Sequence, residues 1–148
     1  MSDPLYKKEL LRLAADATGA GKLDHADARA TVSNPACGDR VTVELRLKQG
    51  RIESLAHQAQ ACVLTQASAG ILAGGATGRT PAEIAALAAS VRAMLAGADH
   101  PGPPFGAYGV FEGVATHAGR HRCVMLPLEA ALKALEISDP AEPGGEGA

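Results

Sequence analysis

The chain has no tryptophan and few other rings: aromatics make up 3% of its 148 residues. A core must therefore come from Ala, Leu, Val and Ile, side chains that suit packed helices. There are three cysteines, an odd number, which argues against a disulfide framework and leaves metal binding or thiol chemistry. No apolar run approaches the roughly 18 residues of a membrane span. The start, Met1-Ser2-Asp3-Pro4, is polar where a signal peptide would be apolar, so a cytoplasmic protein is expected. Neither charge sign dominates. The net charge is -2 with both signs interspersed, which recommends neither nucleic acid nor an anionic membrane as partner. Also missing are a Gly-rich phosphate loop, a His-Glu-x-x-His pair and a Gly-x-Ser-x-Gly elbow.

What is present reads as one domain over residues 1–137 with a Pro-, Gly- and Glu-rich disordered tail over 138–148. Leu5 to Thr18 has the spacing of an amphipathic helix, ended by Gly19-Ala20-Gly21. Arg29 to Ser33 suits a short strand before an Asn34-Pro35 turn. Val41 to Lys48 alternates apolar and polar residues and is the clearest strand. Gln49-Gly50 turns it back into a partner over Arg51 to Gln58, whose pattern breaks between Ile52 and Leu55 as at a bulge. Helical spacing resumes at Cys62 and stops at Gly74-Gly75. Thr80-Pro81-Ala82-Glu83 has the form of a capping box, opening a helix to about Ala96. Phe105 to Val114 suits either a short helical segment or a loop, and a last helix starts between Cys123 and Pro127. The fold class is α+β, a small antiparallel sheet of about three strands packed against several α-helices.

The chemistry concentrates on four residues. Cys37 and Asp39 flank Gly38, which lets the chain turn tightly enough for both side chains to face one point. Cys62 falls at a strand-to-helix junction and Cys123 just before a helix, where exposed N–H groups favour a thiolate. Three thiolates and a carboxylate suffice for one tetrahedral metal. A Cys in an Ala-rich helix can equally be a small buried hydrophobe, and an Asp in a turn can be a cap. Spacing alone leaves both readings open.

Asn34-Pro35-Ala36-Cys37-Gly38-Asp39-Arg40-Val41 resembles the first signature of the SufU/IscU family of iron–sulfur cluster assembly proteins. Cys62-Val63-Leu64-Thr65-Gln66-Ala67-Ser68 is similar to its second-cysteine segment. Phe111-Glu112-Gly113-Val114 with Arg120-His121-Arg122-Cys123-Val124-Met125-Leu126-Pro127 is similar to its third. The resemblance covers about Leu5 to Glu136. A long connection between Cys62 and Cys123, with an insertion near Gly97 to Tyr108, and Arg rather than His before Cys123 resemble the SufU branch.

That resemblance implies a zinc-dependent sulfurtransferase, with Cys37, Asp39, Cys62 and Cys123 as zinc ligands and Cys37 as acceptor of persulfide sulfur. It implies a SufS-type cysteine desulfurase as partner and Suf scaffold proteins downstream. The alternative it carries is a scaffold holding a [2Fe-2S] cluster on Cys37, Cys62 and Cys123. The family usually has glycines before the second cysteine. Here Ala59 and Ala61 stand in that stretch, and a position needing positive φ would be strained by Ala. Gly70 stands where Ser is frequent. Arg122 is a candidate thiolate stabiliser through its fixed charge, and Arg120 and His121 are weaker candidates. His57 reads as a partly buried polar residue, Tyr108 and Phe111 as core. His100 and His117 receive no role.

Overall fold

A computed structural model of the chain describes residues 8–16, 18–35, 38–116 and 118–138. Helix α1, Lys8–Asp16, buries Leu10 and Ala14 and leaves Lys8, Leu11 and Arg12 exposed. The remainder of the expected Leu5 to Thr18 helix falls partly on residues outside those described.

Three strands follow, β1 (Ala28–Asn34), β2 (Asp39–Lys48) and β3 (Arg51–Gln60), forming one antiparallel sheet in the order β1-β2-β3. The alternation seen in the sequence sets the faces. Val41, Val43 and Leu45 are fully buried beneath the helices, while Arg40 on the opposite face is exposed. Gln49 and Gly50 both have positive φ, 54° and 77°, as a tight two-residue hairpin turn demands. Arg46 pairs with Ser54 but Leu47 with Ile52, so Glu53 is an extra residue on β3. This bulge lies where the apolar alternation breaks.

Helix α2, Val63–Ala76, is buried on several sides because it packs against α1, β3 and the last helix at once. Helix α3, Pro81–Leu95, opens with the expected capping box: the Thr80 side chain accepts from the Glu83 N–H, and Glu83 accepts from the Thr80 N–H at 2.8 Å. The link before it is tied to the sheet, since Ile52 N–H donates to Arg79 O and Gly78 N–H to Ile52 O. The stretch that suited either helix or loop is a 3₁₀ helix, Gly106–Thr116, whose Tyr108 and Phe111 are fully buried with ring centroids 5.8 Å apart. Helix α4, His121–Ser138, crosses β1 and β2 and packs on α2 and α3. It takes in Ser138, the first residue of the expected tail; 139–148 lie outside the described residues. Among the described residues, no helix is long and apolar enough to cross a membrane.

Candidate metal centre

Asp39, Cys62 and Cys123 come from three different elements and converge. One ligand atom from each lies within 4.8 Å of the other two. Cys37 lies outside the described residues, as does His117.

Each candidate ligand is placed by its element. Asp39 opens β2 opposite Asn34 of β1, and the sheet turns its side chain inward, where it is 5% exposed. Gly38, just before it, has φ +75° and donates its N–H to Asn34 O at 2.9 Å. The tight turn expected at this glycine is therefore made, with left-handed backbone that glycine tolerates. Cys62 is the N-cap of α2 in an extended conformation. Neither Ala59 nor Ala61 has positive φ, so alanine at these positions carries no backbone strain.

Cys123 corrects one expectation. It does not precede α4 but is its third residue, because the helix starts at His121 rather than between Cys123 and Pro127. Its side chain still belongs to the first turn, near N–H groups that lack helical partners.

The carboxylate of Asp39 does two structural jobs. Oδ1 accepts the Cys62 N–H at 3.2 Å, satisfying an orphan donor at the start of α2. Oδ2 accepts from the hydroxyl of Thr65 at 2.9 Å. Thr65 is fully buried and also lies 2.9 Å from the Cys123 carbonyl oxygen and 3.5 Å from Cys62 Sγ. One turn on, Ser68 donates to Val124 O at 2.7 Å, and the buried Tyr108 hydroxyl donates to Ser68 O at 3.0 Å. Burial pushes the Tyr108 phenol far above its ordinary range, so it acts as a neutral donor.

These hydroxyls were not assigned a role from the sequence. The signal was available: Thr65 and Ser68, three apart, face inward on an otherwise apolar helix, where buried hydroxyls must find partners.

The donor set fits a metal. Neither Cys62 nor Cys123 forms a disulfide among the described residues; Cys123 is buried, while Cys62 is partly exposed and marks the open side. Zinc–sulfur bonds of about 2.3 Å in a tetrahedron put neighbouring ligand atoms about 3.8 Å apart, and the three atoms here all lie within 4.8 Å of one another.

The remaining candidates scatter. Arg122 is half exposed and pairs with Glu129 at 3.3 Å on the same helix. Arg120 is exposed and His121 half-buried at the α4 start. His100 contacts its own loop, Nδ1 to Pro101 O at 2.8 Å. His57 is buried on β3, with Nε2 2.8 Å from Thr18 O and a buried Nδ1 that meets no hydrogen-bond partner among the described residues; desolvation lowers its pKa despite the raising effect of the Thr18 carbonyl.

Comparison with known proteins agrees with this geometry. The sequence profile of the NifU-like N-terminal domain matches residues 5–103. The chain belongs to that family. It is 28% identical over 123 residues to the iron–sulfur cluster assembly scaffold protein IscU of Streptococcus pyogenes serotype M1, covering 82% of this chain and 77% of the relative. The crystal structure of the N-terminal part of a NifU-like protein from Brucella abortus superposes with a TM-score of 0.87 at 31% identity, over 92% of this chain and 95% of that one. A structure described as a candidate SUF-system scaffold, from Fervidobacterium islandicum AW-1, has a TM-score of 0.80 at 23% identity, covers 93% of this chain and 98% of that one, and shares the fold. The SufU/IscU resemblance and the α+β fold expected from the motifs are both borne out.

Proposed function

We propose that the chain serves iron–sulfur cluster assembly as a zinc-held sulfur acceptor of the SufU type. Cys37, Asp39, Cys62 and Cys123 would hold the metal, and Cys37 would take the terminal sulfur of a persulfide carried by a SufS-type cysteine desulfurase in the cytoplasm. The observation that carries this reading is the mutual approach, within 4.8 Å, of ligand atoms from Asp39, Cys62 and Cys123. Ligands so close suit a single ion, with one place left for the fourth.

Bound zinc would supply positive charge that keeps its thiols deprotonated near neutral pH. In the transfer, the Cys37 thiolate attacks the terminal sulfur of the donor persulfide. A new S–S bond forms, the donor's S–S bond breaks, and the desulfurase cysteine leaves as a thiolate. The terminal sulfur and its proton end on Cys37, with no net change in electron count, as in thiol–disulfide exchange. Asp39, fixed by the Cys62 N–H and the Thr65 hydroxyl, keeps its carboxylate turned into the site. Arg122 would steady the departing or arriving thiolate by charge, and its pairing with Glu129 sets how far it can reach. Suf scaffold proteins would receive the sulfur.

A second reading is favoured by the name of the Streptococcus relative, a cluster assembly scaffold. Here Cys37, Cys62 and Cys123 would hold a [2Fe-2S] cluster for transfer. Chain purified without a metal-affinity tag, assayed for zinc, iron and acid-labile sulfide and then added to the desulfurase with cysteine, separates the two. About one zinc per chain and a large rise in alanine production are expected, and Cys37→Ala should abolish sulfur acceptance. Iron and sulfide that rebuild a cluster, without stimulation of the desulfurase, would establish the scaffold instead.

A further inference from the structure

α4 contains a proline at its seventh residue, Pro127, four places after Cys123. In an α-helix the N–H of that position would donate to the Cys123 carbonyl, but proline has no N–H and its ring crowds the same oxygen. The helix nonetheless continues to Ser138. At the Cys123 carbonyl stands the Thr65 hydroxyl of α2, at 2.9 Å, and at the next carbonyl, Val124, stands Ser68 at 2.7 Å. Both donors are fully buried.

We propose that Thr65 is a positioning residue for the metal centre: its hydroxyl takes the place of the donor that Pro127 lacks and so fixes the Cys123 backbone relative to Asp39 and Cys62. This rests on the metal reading above. Thr65 touches all three described ligand residues, with Asp39 Oδ2 at 2.9 Å, the Cys123 carbonyl at 2.9 Å and Cys62 Sγ at 3.5 Å. A hydroxyl has one proton, so it serves the Asp39 carboxylate and the Cys123 carbonyl by sharing or alternating, while either sulfur or oxygen can donate in the contact with Cys62. Valine has nearly the same shape and no hydroxyl. It would keep the packing and remove the tie.

The test is zinc affinity, read by competition with a chromophoric chelator, on the full chain. The variants are Thr65→Val, Thr65→Ser, Pro127→Ala and Thr65→Val with Pro127→Ala. Removing a partner that orients a ligand typically weakens metal binding by about 10–100-fold, and that loss is expected for Thr65→Val. Thr65→Ser keeps the hydroxyl and should restore most of the affinity, which a fold too damaged to bind would not show. Pro127→Ala returns a backbone N–H to the Cys123 carbonyl, so the loss caused by Thr65→Val should shrink in that background. Thr65→Val binding as tightly as wild type would overturn the assignment. So would a loss that is undiminished beside Pro127→Ala. A wild-type chain that takes up no zinc would instead sink the metal reading itself, a separate result.

Discussion

Gly19 offers a sharp test of how the first helix is joined to the sheet. It follows α1 with φ +80°, accepts the His57 N–H on its carbonyl at 2.9 Å, and lies so close to α2 that a Cβ built on it would overlap the Cβ of Ala73. Gly19→Ala therefore meets two separate costs. Holding an L-residue in the left-handed region costs about 1–2 kcal/mol. Forcing an extra methyl against a packed helix costs about 1–3 kcal/mol. Together these give about 2–5 kcal/mol, a large fraction of the roughly 5–15 kcal/mol that holds a domain folded. Urea unfolding should show a lower midpoint at unchanged slope, and thermal unfolding a fall of about 5–15 °C. The two costs can be separated with Ala73→Gly. Alone it should lose about 1 kcal/mol, the price of glycine inside a helix. Placed beside Gly19→Ala it removes the overlap and leaves only the backbone strain, so the two substitutions should couple by about 1–3 kcal/mol. Gly19→Ala within about 0.5 kcal/mol of wild type would refute the reasoning. So would strict additivity with Ala73→Gly, which would mean the helices simply move apart.

Two further outcomes follow from buried polar groups. His57 has a folded-state pKa lowered from 6.5, so below about that pH the unfolded chain binds a proton that the folded chain resists. Stability should be complete above this window and decline as pH falls through it, by at most about 1.4 kcal/mol per pH unit from this one group. Urea midpoints at about pH 7.5 and about pH 5.5 should differ more for wild type than for His57→Asn, and equal differences would remove His57 as the cause. Tyr108→Phe deletes a donor to Ser68 O without opening a cavity and should cost about 0.5–1.5 kcal/mol, measured by thermal unfolding; no loss would mean the hydroxyl contributes nothing net.

Much of the fold was legible because it rests on local rules. The alternation from Val41 to Lys48 determines which face of β2 is buried, and the Thr80–Glu83 box marks the start of α3 to the residue. Gln49-Gly50 dictates the hairpin, and the imperfect pattern after Ile52 reports the extra residue at Glu53. The start of α4 was misplaced for a physical reason. Proline is favoured in a helix's first turn, so Pro127 pulls the expected start toward itself. The helix begins six residues earlier, and hydroxyls from α2 reach the carbonyls at the proline's own turn. That compensation is long-range in sequence and leaves no periodic trace. Asp39 reads as a turn residue beside Gly38, yet it is the first ladder residue of β2, paired with Asn34. Its turn-like neighbours conceal the inward direction that the sheet gives it.

The polar contacts around the centre interlock. The Asp39 carboxylate holds the Cys62 N–H, Thr65 of the helix that Cys62 caps holds the Cys123 carbonyl, and the same hydroxyl returns to Asp39. Every described candidate ligand is thus fixed through the backbone or side chain of another candidate's element. Displacing α4 from α2 would break the tie at Cys123 and loosen Asp39 in the same step, because one hydroxyl serves both. Buried networks of this kind tend to form or fail as a unit. In the proposed sulfur transfer that property has a use. Cys37 would have to be free to attack the persulfide while Asp39, Cys62 and Cys123 hold their places. The cross-ties among β2, α2 and α4 would supply that fixed frame, independent of the reacting cysteine.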